Sequence, residues 1–317
     1  MNVASSTNHA ARLVKRRTLW KTMYQQRCLM MMSIPFLIWI FIFEFGPMFG
    51  WLMAFVQYDP NKGILGSQWA GLRYFKMFFE DPDIWLILRN TVMISFLYIL
   101  SSNVFPLILA LMISEVGDGY FKRALQTVTY LPHFVSFVVV ANIFLTLFGM
   151  RGPVNELLRG LGWTDRPVLF WQDKNIFWYM VTFVRSWKEI GWGAIIYLAA
   201  IASVDQEMYE AAKIDGCGRF RAMWHITIPS ILPTITLLWV LNMAGIFNAG
   251  FDASYLLGNA MTREASQVID TYVYELGISM GMYSFSTAVN LLQTAVGFAF
   301  VFITNTIARK LTDYSLW

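Results

Sequence analysis

The chain alternates long, almost uniformly apolar stretches with shorter polar segments. Each apolar stretch is close to the roughly 20 residues that an α-helix needs to cross the hydrocarbon core of a bilayer. The pattern predicts six spans, at residues 34–56, 91–114, 131–150, 177–202, 231–251 and 286–308. We therefore expect an all-α polytopic membrane protein with six transmembrane helices.

Two of the polar connections contain shorter helical patterns. Apolar side chains recur at helical spacing before Asp81, namely Leu72, Phe75, Phe78 and Phe79. This spacing predicts a short helix lying on the outer membrane surface. Residues 266–276 predict a second helix, which Gly277 would end.

The composition supports a membrane protein and limits its other properties. The chain is 57% hydrophobic and 14% charged, whereas soluble domains carry about 25% charged residues. Its two cysteines, Cys28 and Cys217, are too few for a disulfide framework. No repeat or second domain is visible, so we expect a basic segment at 1–28 followed by one transmembrane domain at 29–317.

The basic residues indicate how the chain is oriented. Six of them precede the first span: Arg12, Lys15, Arg16, Arg17, Lys21 and Arg27. Such a flank is retained on the cytoplasmic side, and an even number of spans then places both termini and the loop 204–229 in the cytoplasm. The net charge of +4 does not predict nucleic-acid binding, because no basic groove with interleaved aromatic residues is present. Membrane lipid is the expected partner of the tail.

The chain lacks the motifs of a self-contained enzyme. A P-loop, Gly-x-x-x-x-Gly-Lys-[Ser/Thr], which would cradle the phosphates of ATP, is missing. The histidines His9, His133 and His225 have no metal-ligand spacing, and Gly-x-Ser-x-Gly is absent. We predict no catalytic residues, no metal site and no cofactor bound by this chain.

The polar loop between the fourth and fifth spans is suited to docking another protein. Asp205 can cap a short helix, and Gly216 or Gly218 can end it in a left-handed conformation. The small residues Ala211 and Ala212 would let a partner approach closely. A helix held in a partner's groove is a common recognition mode.

The same loop carries the clearest resemblance to a known family. Glu210-Ala-Ala-x₃-Gly216-x₉-Ile226-x-Ile228-Pro229 resembles the signature Glu-Ala-Ala-x₃-Gly-x₉-Ile-x-Leu-Pro of permease subunits of binding-protein-dependent ABC importers, with Ile228 in place of Leu. Other runs are similar to the carbohydrate-uptake branch, the polysaccharide/lipoprotein-type permeases related to the maltose-system permeases: residues 46–50, 69–72, 187–192 and 268–277.

The resemblance implies a type I ABC importer permease fold in a bacterial cytoplasmic (inner) membrane. It also implies that the loop couples to a separate ATPase through Glu210, Ala211, Ala212, Asp215 and Gly216. The expected partners are two ATPase subunits that hold ATP and Mg, a second and different permease, and an extracytoplasmic solute-binding protein. Transport would proceed by alternating access between two states of the bundle.

Polar and aromatic residues near the fourth and fifth spans predict the substrate path. Ionisable or amide side chains inside spans are costly and often functional. Trp187 and Trp192 beside Lys188 would suit a sugar, and Asn248 and Asp252 would lie near the outer end of the fifth span. The alternative is that the charges on the fourth span stabilise packing, since Arg185 and Glu189 have i, i+4 spacing.

The favoured function is import of an oligosaccharide, and the cations Arg185 and Lys188 also admit an acidic cargo such as an oligouronate. Import of a non-sugar solute such as a peptide by the same fold is one alternative. A self-contained secondary transporter is another, but it predicts inverted repeats or discontinuous ion-binding helices that the sequence does not show. A membrane enzyme would need a reactive set of residues that is missing.

Overall fold

The structure is a computed structural model that describes residues 25–312, and its regular elements are almost entirely helical. The predicted basic segment 1–28 lies largely outside the described residues. The helices are, in chain order, α1 (Arg27–Phe55), α2 (Gly63–Gly66), α3 (Arg73–Glu80), α4 (Ile84–Ser114), α5 (Tyr120–Phe134), α6 (Phe137–Leu147), α7 (Pro153–Gly160), α8 (Phe177–Ala202), α9 (Gln206–Ile214), α10 (Arg219–Met243), α11 (Phe251–Leu257), α12 (Arg263–Ser266), α13 (Ile269–Tyr274) and α14 (Tyr283–Thr312). A short antiparallel pair joins β1 (Val56–Gln57) to β2 (Gln68–Trp69).

Fewer helices than predicted have the length and the apolar composition of a membrane span. Within residues 25–312, four helices are long and apolar enough to cross a bilayer: α1, α4, α10 and α14. The pair α5 and α6 would be a fifth, with a bend of 102°. Helix α8 is 26 residues long but contains Arg185, Lys188 and Glu189, so composition alone does not make it a span.

The predicted third span, 131–150, is wrong as a straight helix. The chain breaks at Val135, which is extended, and the hydroxyl of Ser136 then caps α6 by accepting a hydrogen bond from the amide of Val139 at 3.4 Å. Helix α6 has 11 residues and rises about 16 Å, roughly half of a bilayer core of about 30 Å.

The predicted fifth span, 231–251, is shifted along the chain. The helix starts at Arg219, because a π turn at Met223–Thr227 accommodates Pro229 without breaking it. It ends at Met243, and residues up to Gly250, with φ +83°, form a loop before α11 begins. Asn248 and Asp252 therefore lie beyond the end of the span helix.

The short helices outside the spans were predicted only in part. Helix α3 confirms the helix predicted before Asp81. The helix predicted at 266–276 is present but begins later, at Ile269, because Gln267 is extended and separates α12 from α13. Gly277 also does not end α13, which continues as a π turn over Glu275–Ser279.

The main core lies around the contact between α4 and α8, which is the most extensive in the molecule. Buried side chains of α4, α6 and α8 meet those of α11 and the start of α13, including Ile94, Phe144, Phe177, Leu257 and Val268. This packing places the loop after α10 beside the charged middle of α8.

Candidate functional site

Helix α9 has both of its ends closed by local hydrogen bonds. A side-chain oxygen of Asp205 accepts a hydrogen bond from the amide of Glu207 at 3.0 Å, as predicted for a cap. At the other end Gly216 has φ +74°, and the amide of Cys217 donates to the carbonyl of Ala212 at 2.8 Å. This arrangement is the glycine-dependent Schellman ending of a helix.

The residues predicted to dock a partner are at the surface. Glu210, Ala211, Asp215 and Gly216 are exposed, and Ala212 is half-buried. Around them lie large apolar side chains that the sequence analysis did not single out, among them Ile214, which is 87% exposed, and Phe220, which is 79% exposed. Exposed apolar patches rimmed by polar residues mark interaction surfaces.

Helix α9 is also tied to the start of α10. The hydroxyls of Tyr209 and Thr227 are hydrogen-bonded at 2.9 Å, and Val204 is buried between α8 and α9. A force on α9 would therefore reach α10 directly.

The charged middle of α8 is paired with the corner between α5 and α6. Lys188 donates to the carbonyl of His133 at 2.6 Å and to Glu189 at 2.9 Å, and Glu189 contacts Nδ1 of His133 at 2.6 Å. Glu189 thus pairs with Lys188 and His133, and within the described residues it forms no ion pair with Arg185. The alternative pairing of Arg185 with Glu189 is therefore not the one observed.

Two of the tryptophans of α8, Trp187 and Trp192, pack against aromatic neighbours. Trp192 stacks on His133 with ring centroids 4.3 Å apart, and Trp187 meets Phe144 edge-on at 5.2 Å. Each remains about two-fifths exposed. Neither of them lines the two cavities that contain the other predicted path residues.

Lys188 and Asp252 share one cavity, which we call the charged cavity. It has a volume of about 230 Å³, and its wall also includes Tyr98, Arg185, Glu189 and Phe251. Two cationic and two carboxylate side chains line it, so its charge is balanced.

Asn248 lies in a second and bigger space, which we call the large cavity. Its volume is about 610 Å³, within the range of ligand sites. The wall combines aromatic rings with amide, hydroxyl and carboxyl groups and includes Asn248, Phe251, Asp270, Tyr274, Tyr283, Ser286, Thr287 and Asn290. Phe251 also lines the charged cavity, so the two spaces share this side chain.

Two polar side chains from different helices hold the loop that carries Asn248. Arg185 of α8 donates to the carbonyl of Ala249, and its guanidinium lies 3.6 Å from the ring centre of Tyr98. Gln293 of α14 donates to the carbonyl of Phe247 at 2.9 Å and to Asp270 at 3.1 Å. Burial raises the pKa of Asp270, while the hydrogen bond from Gln293 lowers it.

The sequence pattern does not indicate the aromatic wall of the large cavity. Phe251 is the last residue of the predicted fifth span, Tyr274 lies in the helix predicted at 266–276, and Tyr283 lies in a connecting segment. In the sequence these residues share only an aromatic ring close to the end of a helix. This signal is too weak to identify a site whose parts are distant in sequence.

The sequence is similar to a family of transport proteins. Residues 102–313 match the family model described as a binding-protein-dependent transport system inner membrane component. Protein LplB of Bacillus subtilis (strain 168) is 44% identical over 294 residues, which are 92% of each chain.

A second relative and a solved structure extend this similarity. The polygalacturonan/rhamnogalacturonan transport system permease protein YteP of Bacillus subtilis (strain 168) is 39% identical over 306 residues, 96% of this chain and 94% of its own. A chain in the crystal structure of a bacterial alginate ABC transporter in complex with an alginate pentasaccharide-bound periplasmic protein matches with a TM-score of 0.83 and 35% identity. That match covers 94% of this chain and 99% of the solved one.

These similarities confirm the family and the permease fold that the loop 204–229 indicated. The fold is that of a type I ABC transporter permease. The chain belongs to the family of inner membrane components of binding-protein-dependent transport systems.

Proposed function

We propose that this chain is a permease subunit of an ATP-driven importer that carries an oligosaccharide across the bacterial cytoplasmic membrane. A solute-binding protein outside the membrane would deliver the cargo. The observation that carries the proposal is the likeness, over 94% of this chain, to a transporter solved with a periplasmic protein that holds an alginate pentasaccharide.

The proposal includes six membrane crossings with both termini in the cytoplasm. Helices α1, α4, α10 and α14 would cross singly, and α5 with α6 as a bent pair. Helix α8 would be the sixth, because Lys188 and Glu189 pair with each other and with His133, so that these charges need not face lipid.

Helix α9 would form the contact with the ATPase subunit that supplies the energy for transport. Glu210, Ala211, Ala212, Asp215 and Gly216 would dock on an ATPase subunit, and the exposed Ile214 and Phe220 would bury their apolar area there. Two such subunits would bind ATP and Mg, and a second, different permease would complete the path. Closure of the ATPases would move α9 and, through the Tyr209–Thr227 hydrogen bond, α10.

The sugar would pass through the large cavity. Aromatic faces stack on the C–H surfaces of sugars, and amide and hydroxyl groups bond their hydroxyls, which is the mixture found around Asn248. Lys188 and Asp252 would meet the cargo in the adjoining charged cavity. Trp187 and Trp192 stay proposed contacts through their exposed faces.

An acidic oligosaccharide is the favoured cargo. The names of two similar proteins refer to polygalacturonan, rhamnogalacturonan and alginate. The guanidinium of Arg185 has five N–H donors, and the bond to Ala249 uses one of them, so the charged cavity can still offer donors to a carboxylate.

The test is ATP hydrolysis by the assembled importer with its binding protein in proteoliposomes. Oligogalacturonides and the same oligomers with their carboxyl groups reduced to alcohols would be compared, with a peptide mixture as a third ligand. We expect stimulation by the oligosaccharides, and more by the acidic form. Stimulation by the peptides alone would contradict the sugar assignment, and equal stimulation by both oligomers would contradict the preference for acid.

A further inference from the structure

A third cavity, which we call the outer cavity, lies at the end of α10 that is remote from α9. Helix α10 starts just after the α9 loop, and its 25 residues separate the two ends by about 37 Å. The outer cavity has a volume of about 280 Å³ and lies among α11, α12 and α13. Its wall includes Ser254, Tyr255, Ala260, Arg263, Ser266 and Glu275.

The residues around this cavity are mostly polar. Ser254 is among them but is only 2% exposed, and its hydroxyl oxygen is buried and has no hydrogen-bond partner among the described residues, so contacts to a ligand come from the rim. At the rim, Arg263 and Glu275 are paired at 3.1 Å and are both exposed enough to exchange this bond for a ligand hydroxyl.

Three aromatic rings connect the outer cavity with the large cavity. Tyr255, from the wall of the outer cavity, stacks on Phe251 with centroids 5.0 Å apart and an interplanar angle of 16°. Tyr274 contacts both rings, at 5.0 Å and 5.5 Å. Phe251 and Tyr274 line the large cavity and Tyr255 lines the outer cavity, so the three rings lie between the two spaces.

A volume of about 280 Å³ is at the lower limit of small-molecule pockets, which suits one sugar ring better than a chain. The lining of hydroxyls, a switchable ion pair and an aromatic side chain matches a sugar, which presents hydroxyls at its edge and C–H groups on its face.

We propose that the outer cavity binds one ring of the oligosaccharide, and that the wall of Tyr255, Phe251 and Tyr274 carries the chain from there into the large cavity. This inference rests on the proposed function and adds a second subsite to it. A short cargo fills the large cavity alone, whereas a longer one occupies both. The outer cavity therefore determines how well long oligomers are taken up.

The test compares a disaccharide with a pentasaccharide of the same sugar, using the assembled importer and one binding protein. Ala260→Phe fills the outer cavity from its exposed rim, and Met261→Phe is the matched control at a neighbouring exposed position that does not line it. Tyr255→Ala removes the aromatic ring that lines the outer cavity, and Tyr255→Phe keeps it. We expect Ala260→Phe and Tyr255→Ala to raise the KM for the pentasaccharide about tenfold, as the loss of one aromatic contact would, and to leave the disaccharide unchanged.

Met261→Phe and Tyr255→Phe should behave like the unmodified protein. Unchanged pentasaccharide uptake in both Ala260→Phe and Tyr255→Ala would overturn the inference, and so would an equal loss for both cargoes, since that is the result of damaged packing. If the unmodified importer took up neither oligosaccharide, the proposed function itself would be wrong, which is a separate outcome.

Discussion

Replacing Gly216 by alanine tests whether the shape of α9 matters for coupling. Gly216 has φ +74°, and a methyl group added there would meet no atom within 4 Å. The cost is therefore purely conformational, about 1–2 kcal/mol for a left-handed non-glycine residue. Since 1.4 kcal/mol corresponds to a factor of ten in an equilibrium constant, the population with the native helix ending falls about 5- to 30-fold.

This loss is measurable because α9 has only nine residues and depends on its ends. If an ATPase subunit binds only the ordered α9, its apparent affinity falls by the same factor. The assay is substrate-stimulated ATP hydrolysis by the importer at increasing concentrations of the ATPase subunit. Gly216→Ala should shift the half-maximal concentration upward by several-fold, while Gly216→Asn, which tolerates this conformation better, should shift it less.

Gly218 provides the matched control two residues away. Its φ of −74° and ψ of 160° are open to any residue, and it precedes α10 at the N-cap, where serine is favoured. Gly218→Ser should leave coupling unchanged. Normal coupling in Gly216→Ala, or a larger loss in Gly218→Ser than in Gly216→Ala, would show that the ending of α9 does not control coupling.

Three further predictions concern other parts of the molecule. Glu210→Lys should abolish ATP-driven uptake at normal expression, because Glu210 is exposed at the proposed docking surface; preserved uptake would contradict that role. Arg185→Lys should raise the KM for cargo, because lysine lacks the planar fork that contacts Ala249; an unchanged KM would argue against the loop being held by this side chain. Asn103 accepts a hydrogen bond from Asn242 at 3.1 Å, which joins α4 to α10. A double-mutant cycle that replaces each asparagine by leucine should give a coupling free energy of about 0.6–1.7 kcal/mol in thermal unfolding. A coupling free energy near zero would contradict a stabilising role for this hydrogen bond.

The features that were predictable from sequence are those with local causes. The ends of α9 depend on Asp205 and Gly216 alone, and both behave as expected. The long apolar runs likewise contain helices, because a residue in a bilayer must satisfy its own backbone polar groups.

The features that were not predictable depend on contacts between distant residues. Residues 244–247 continue the hydrophobic pattern of the helix before them, so the pattern does not show that α10 ends there. The loop is held instead by Arg185 and Gln293 from other helices. The charged cavity and the large cavity meet at Phe251 for the same reason. The aromatic residues on α8 could be predicted as a cluster because they are close in sequence. The aromatic wall of the large cavity could not, because folding brings its residues together from distant parts of the chain.

The most direct test of the proposed function is uptake of a labelled oligosaccharide into proteoliposomes that contain this chain with its partner subunits. We expect uptake that requires ATP, the ATPase subunits and the loaded binding protein together, and that stops when any one of them is omitted. Uptake by this chain alone, driven by an ion gradient and indifferent to ATP, would contradict it.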